Sequence, residues 1–183
     1  PKRTSHQIAE SIEGRGGMLN AFTDKERTCY YCRVLAEDSG VGFDVLSVMV
    51  ANALLDADVL EKEKGVVLEE IKRSEDEPGD HVHDLHLQGF WPTSEFGLPV
   101  IGTKESVSSF TRQNLVDYIN RRYHAGTVLV TAAGNVNHQD FVNWAEVNLG
   151  HLKSGPKNPV LERPTAQPGN QHFGKNVEQV HFC

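Results

Sequence analysis

The sequence DVLEKEKGVVLEEIKRSED, residues Asp58–Asp76, is predicted to form one long amphipathic helix. At about 100° per residue its apolar side chains share a face, as in a helix packed against a core; these side chains are Val59, Leu60, Val66, Val67 and Ile71. Glu63 and Glu70 lie in the same stripe, and their spacing of nearly two turns points both carboxylates the same way. The predicted packing face therefore carries two acidic groups.

Two explanations fit these glutamates. Burying a carboxylate without a partner costs on the order of several kcal/mol, so a pair on a packing face indicates a cation, a metal or a catalytic pocket. A salt bridge to an inward-facing Arg or Lys is the alternative, because buried ion pairs also serve structure. The residues alone leave both explanations open.

The composition is that of an ordinary globular domain. The 183 residues are 38% hydrophobic and 23% charged, and a chain of this length can bury a core of its own. A formal net charge of −7 argues against general nucleic-acid binding. No apolar run has the length of a membrane span. We therefore predict a single domain over residues 1–183 that binds neither nucleic acid nor membrane.

Periodicity and turn residues predict helices that alternate irregularly with strands. Gly17–Thr23 and Glu26–Ala36 are predicted strands of a hairpin, and residues 127–135 (TVLVTAAGN) and 176–183 (NVEQVHFC) are further predicted strands. Besides the acidic helix, helices are predicted for SHQIAESIEGR (5–15), VGFDVLSVMVANALL (41–55), HVHDLHLQGFW (81–91), TRQNLVDYINRRYH (111–124) and HQDFVNWAEVNLGHL (138–152), with a long connection over 152–171. This pattern indicates an α+β fold in which helices cover a mainly antiparallel sheet.

Cysteines and histidines give weaker indications of chemistry. Cys29 and Cys32 have CxxC spacing, but residues three apart on a strand face opposite sides. Buried small apolar side chains therefore explain them better than a redox or zinc pair does. His81, His83 and His86 cluster on a predicted helix, yet only the last two are neighbours there. A solvated, mildly pH-sensitive surface is preferred over a zinc site made by these histidines alone.

Four segments, in their order and spacing, resemble one protein family. RGGMLNAFTDKERTCYYCRVL (15–35) resembles its glycine-rich turn and hairpin, and EKEKGVVLEEIKRSEDEPGD (61–80) resembles its acidic helix. LPVIGTKESVSSFT (98–111) and YHAGTVLVTAAGNV (123–136) resemble its later landmarks. The family is that of the pitrilysin-type zinc metallopeptidases, the inverzincins, which include mitochondrial processing peptidase and its bacterial relatives.

The resemblance implies a processing-peptidase-like metallohydrolase domain and a zinc endopeptidase that cleaves peptides or presequences. Such enzymes carry an HxxEH motif on one helix and a distal glutamate on another. By resemblance, Glu70 matches the third zinc ligand and Glu63 the acidic neighbour that supports the catalytic site. Glu69 competes with Glu70 for the ligand role but points about 100° away from it.

The resemblance also implies a substrate-binding surface on the hairpin. In the family an edge strand binds the substrate backbone by β-addition. Leu19, Asn20 and Ala21 match that strand, so they are the candidate substrate-binding residues.

The HxxEH motif itself is absent from the 183 residues. In the family it lies upstream of the distal glutamate, at a position expected before Pro1, so this chain is expected to be an N-terminal domain fragment that lacks the first metal-binding helix. Catalytic zinc needs three protein ligands, so the fragment is expected to be inactive alone. A second homologous half or a partner subunit is an expected partner, and a homo-oligomer is another. The alternative function is that of a non-catalytic partner subunit which binds substrate or stabilises an active subunit.

Overall fold

The computed structural model describes residues 3–155, 162–176 and 178–183. Within them lie seven α-helices and one two-stranded antiparallel sheet, so the fold is α+β as predicted. The elements are α1 (Ser5–Glu13), β1 (Met18–Thr23), β2 (Thr28–Arg33), α2 (Ser39–Ala51), α3 (Ala57–Asp76), α4 (Pro78–Phe90), α5 (Lys104–Ser109), α6 (Arg112–Arg122) and α7 (His138–Leu149). None of the helices in the described ranges combines the length and the apolar composition that a membrane span requires.

The chain forms two compact units. The first comprises Pro1–Leu55 and Gln113–Pro159, and the second comprises Asp56–Arg112 and Val160–Cys183. Compact units of this kind also occur inside single domains. The single domain over residues 1–183 therefore stays a prediction.

A capping box begins the first unit. The Thr4 side chain accepts a hydrogen bond from the Gln7 N–H, and Gln7 Oε1 accepts one from the Thr4 N–H at 2.8 Å. Ile12 of α1 is fully buried. Gly16 then adopts a φ of 74°, a left-handed conformation that glycine tolerates, and the chain turns into β1.

The predicted hairpin is confirmed. β1 pairs antiparallel with β2 in a register that runs from Met18 opposite Arg33 to Thr23 opposite Thr28. Asp24 holds the turn, because its carboxylate accepts the N–H groups of the residues two and three positions later, each at 2.9 Å. These bonds, chiefly the one from the Glu26 N–H, lower the pKa of the Asp24 carboxyl.

Helix α2 packs against both the hairpin and α7. The Phe43 ring lies 5.2 Å from the Phe141 ring and 6.1 Å from the Trp144 ring, measured between centroids. Gly42 faces the hairpin so closely that a Cβ placed on it would lie 2.8 Å from Cys32 Sγ. The hairpin is thereby held against the core of the first unit.

The second unit is built on α3. Asp56 caps this helix by accepting the N–H groups of Asp58 and Val59 at 2.9 and 3.1 Å. Ile71 of α3 is buried, and Lys104 Nζ at the start of α5 contacts Glu75 Oε2 at 2.6 Å. Pro78 then occupies the first turn of α4, where its missing N–H has no cost.

Two strand predictions are wrong for the described residues. Residues 127–135 form no strand, nor do 176 and 178–183, and the sheet in the described part of the chain consists of β1 and β2 alone. A run of β-branched residues favours extended backbone, but a strand also needs a partner from elsewhere in the chain. Residues 127–135 have no such partner within the described ranges, and Leu129 is 87% exposed.

Helix boundaries also differ from the prediction. The predicted helix 41–55 begins at Ser39 and ends at Ala51. Helix α5 is missing from the prediction, because its capping box pairs Thr103 with Ser106 instead of the usual Glu or Gln. Its six residues are also too few for a helical period to show.

Candidate functional site

The acidic residues of α3 lie on a different face from the one predicted. Glu63 and Glu70 are exposed, as are Val59 and Val66, which keep 52% and 54% of their surface accessible. The buried side of α3 instead centres on Ile71, which is 3% exposed, with Leu60, Val67 and Leu68 half-buried. The predicted burial of the two glutamates is therefore wrong.

A lysine explains this error. Lys64 lies on the buried side of α3 with its side chain only 13% exposed, and its ammonium reaches Glu61 at 2.7 Å. Its aliphatic stem packs as an apolar group would, while its charge leaves the packed face. A pattern that counts lysine as polar therefore places the centre of the buried face too close to Glu63 and Glu70.

Within the described residues Glu63, Glu69 and Glu70 have no ion pair, whereas two other glutamates of α3 do. Glu61 binds Lys64, and Glu75 binds Lys104. Neither Glu63 nor Glu70 forms an ion pair with a cationic side chain within the residues that the structure describes. The alternative of a buried salt bridge is thus excluded for the described residues, among which both carboxylates have no cationic partner.

The surface beside Glu70 is a shallow concavity of about 550 Å³. Its lining residues are Lys62, Gly65, Val66, Glu69, Glu70 and Arg73. A Cβ placed on Gly65 would have no atom within 4 Å, so this side of α3 is open. Glu69, the competing ligand candidate, borders the same concavity.

These residues do not make a zinc site by themselves. Within the described ranges, no group of three or more His, Cys, Asp or Glu side chains could hold a metal ion. Zinc in a catalytic site takes three protein ligands. The described donor set therefore does not fit a zinc ion, although one exposed carboxylate fits the role of a single ligand.

The candidate substrate strand β1 has a free edge in the described residues, since β2 is its only partner there. The Asp24 N–H donates a hydrogen bond to the Arg27 carbonyl at 2.9 Å, so Asp24 and Arg27 form a hydrogen-bonded pair of the ladder. Hydrogen-bonded and non-hydrogen-bonded pairs alternate along an antiparallel ladder. In the observed register the Asn20 backbone therefore faces β2, whereas the N–H and C=O groups of Leu19 and Ala21 face the free edge.

One outward backbone group of β1 already has a partner. The Ala21 N–H donates to Asn20 Oδ1 at 2.8 Å. Both residues are exposed, and Leu19 is half-buried. The three candidate substrate residues therefore lie together on an accessible strand. The backbone groups of Leu19 and Ala21 face the free edge, whereas those of Asn20 face β2.

The remaining sequence candidates stay outside any assembled site. Cys29 and Cys32 are free thiols, and burial raises the pKa of Cys32. His83 Nδ1 lies 3.3 Å from Cys183 Sγ, and the His86 ring stacks on Phe90. Among the described residues they form no metal cluster.

Known proteins match this chain along its whole length. Residues 1–104 match the family model for insulinase, peptidase family M16, and residues 109–183 match that for the peptidase M16 inactive domain. An uncharacterized zinc protease of Bacillus subtilis, YmxG, is 38% identical over 181 residues, which are 99% of this chain and 44% of that protein. An uncharacterized zinc protease of Streptomyces coelicolor is 38% identical over 176 residues, covering 96% of this chain and 37% of that protein.

Solved structures share the fold. A peptidase M16 inactive domain from Pseudomonas fluorescens aligns with a TM-score of 0.80 at 19% identity, covering 90% of this chain and 40% of that one. Pitrilysin aligns with a TM-score of 0.74 at 22% identity, covering 86% of this chain and 18% of that one. The chain spans less than half the length of the relatives it matches. The family models cover it nearly end to end and confirm the resemblance read from its motifs, so this chain belongs to peptidase family M16.

Proposed function

We propose that the intact protein is a zinc endopeptidase and that this chain supplies one zinc ligand, Glu70, with Glu63 as the carboxylate that supports it. The observation that carries the proposal is that these two glutamates are exposed on one face of α3 and form no ion pair within the described residues. An unpaired carboxylate in water costs little and is ready to bind a cation. Two of the relatives are named zinc proteases, which supports zinc as the bound cation.

The chain alone is expected to be inactive. It offers one candidate ligand of the three that a catalytic zinc needs, and it contains no HxxEH. The other ligands are expected from an HxxEH helix of the intact protein. A second homologous half, a partner subunit or a second copy of the chain is the proposed partner. A purified chain that elutes as a clean monomer at high concentration would argue against pairing with a second copy.

The proposed substrate is an unfolded peptide or presequence that binds as an added strand on β1. The free edge of β1 offers the outward N–H and C=O groups of Leu19 and Ala21 to such a strand. Backbone pairing of this kind recognises extended chain, whatever its side chains, so it suits a peptidase of broad sequence tolerance.

Hydrolysis of an unstructured fluorogenic peptide by the protein expressed from its full reading frame tests the proposal. Glu70→Gln should abolish turnover, and Glu63→Gln should lower it. Glu69→Gln is the matched control, because it removes the same charge from the neighbouring position and should retain activity. Equal activity of the Glu70 and Glu69 variants would contradict the assignment of Glu70.

The second candidate function is that of a non-catalytic subunit. It is favoured by the match of residues 109–183 to the model for the peptidase M16 inactive domain. A full reading frame without HxxEH, together with peptide binding but no hydrolysis, would establish this function in place of the first.

A further inference from the structure

Asn20 covers a backbone donor that a bound peptide would use. The Ala21 N–H faces the free edge of β1, where an added strand would place a carbonyl oxygen. In the structure that position is taken by Asn20 Oδ1, 2.8 Å from the Ala21 nitrogen. A carboxamide oxygen has the same chemistry as a peptide carbonyl, so Asn20 imitates the first contact of a substrate strand.

We propose that Asn20 is a self-inhibitory cap on β1, which an extended peptide must displace before it can pair with Ala21. The inference rests on the proposed role of β1 as the substrate strand and adds a condition to it. A peptide carbonyl exchanges one hydrogen bond for another at Ala21 and gains little there. Binding therefore depends on pairing at further positions, including Leu19, whose backbone also faces the edge.

The cap makes the strand selective for unfolded chain. Single polar groups and small amides compete poorly with an intramolecular acceptor that is always present at the Ala21 N–H. A folded protein offers carbonyls that are already paired, and it must also break those pairs. A free, extended peptide of several residues also has to displace Asn20, but it has no internal hydrogen bonds to break, so it is the ligand class that the capped edge admits.

Peptide affinity of the intact protein tests the cap. An unstructured fluorescent peptide is titrated with wild-type protein, Asn20→Ala and Asn20→Asp, and binding is followed by fluorescence anisotropy. Asn20→Ala lacks the competing acceptor and should bind about three- to tenfold more tightly, the range expected for one exposed hydrogen bond. Asn20→Asp keeps an acceptor oxygen and should not gain affinity. Hydrogen exchange of the Ala21 amide in the free protein should become faster only in Asn20→Ala.

The outcomes separate the cap from the function of the strand. Peptide binding by the wild type with equal or weaker binding by Asn20→Ala overturns the cap and leaves the substrate strand in place. Absence of peptide binding in the wild type and in every variant overturns the proposed function, and the cap with it. Asn20→Val also lacks the acceptor and favours a strand, so it repeats the test if the alanine variant fails to fold.

Discussion

Replacing Gly42 by alanine should destabilise the first unit, although alanine is the better helix former. Gly42 lies inside α2, where the exchange alone would stabilise by about 1 kcal/mol. The new Cβ would lie 2.8 Å from Cys32 Sγ and 3.3 Å from Val34 Cγ2. Overpacking of this kind costs about 1–3 kcal/mol, so the free energy of unfolding should fall by up to about 2 kcal/mol.

Gly65 provides the matched control. It also lies inside a helix, α3, but a Cβ there meets no atom within 4 Å. Gly65→Ala should therefore stabilise the second unit by about 0.5–1 kcal/mol. The opposite signs of the two substitutions follow from packing alone, since the change in chemistry is identical.

Urea unfolding measures both effects, unit by unit. The chain has two tryptophans, Trp144 in the first unit and Trp91 in the second, so single-tryptophan variants report each unit by fluorescence. In a Cys32→Ala background the Sγ contact is gone, and the cost of Gly42→Ala should shrink. Stabilisation by Gly42→Ala equal to that by Gly65→Ala would refute the close packing of α2 on the hairpin.

Two further predictions concern polar contacts of the first unit. Burial, and then the Tyr30 hydroxyl at 3.2 Å, raise the pKa of Tyr123 to about 12. Because an unfolded tyrosine has a pKa of about 10, the free energy of unfolding should fall as the pH rises from about 10 towards 12, and Tyr123→Phe should flatten this slope in urea titrations over that range. Asp38 is 7% exposed and accepts a hydrogen bond from Arg15 Nη1 at 2.6 Å. Arg15→Ala should therefore lower the free energy of unfolding by about 1–2 kcal/mol. An unchanged urea midpoint would show that water replaces the arginine.

Local patterns were sufficient to predict much of the fold. The first helix, the hairpin and the helix predicted for 81–91, which the structure has at Pro78–Phe90, all depend on residues within a few positions of one another. Such features follow from hydrogen bonding and turn chemistry that the sequence displays directly. Residues 127–135 show the limit, because whether a β-branched run becomes a strand depends on a distant partner.

The candidate site was predictable in its residue types but not in its burial. The spacing of Glu63 and Glu70 places them on one side of α3, as expected from the helical period. Which side is buried depends on Lys64, whose stem packs while its charge binds Glu61. The contact between Asn20 and the Ala21 N–H depends on a side-chain conformation, and no spacing rule would indicate it.

The zinc content of the intact protein is the most direct test of the central claim, that Glu70 is a metal ligand. Wild-type protein, Glu70→Gln and Glu69→Gln are purified from the full reading frame, dialysed, and analysed for bound metal. The proposed site predicts one zinc per chain in the wild type and in Glu69→Gln, with loss of the metal in Glu70→Gln. Equal zinc in all three proteins, or none in the wild type, would contradict it.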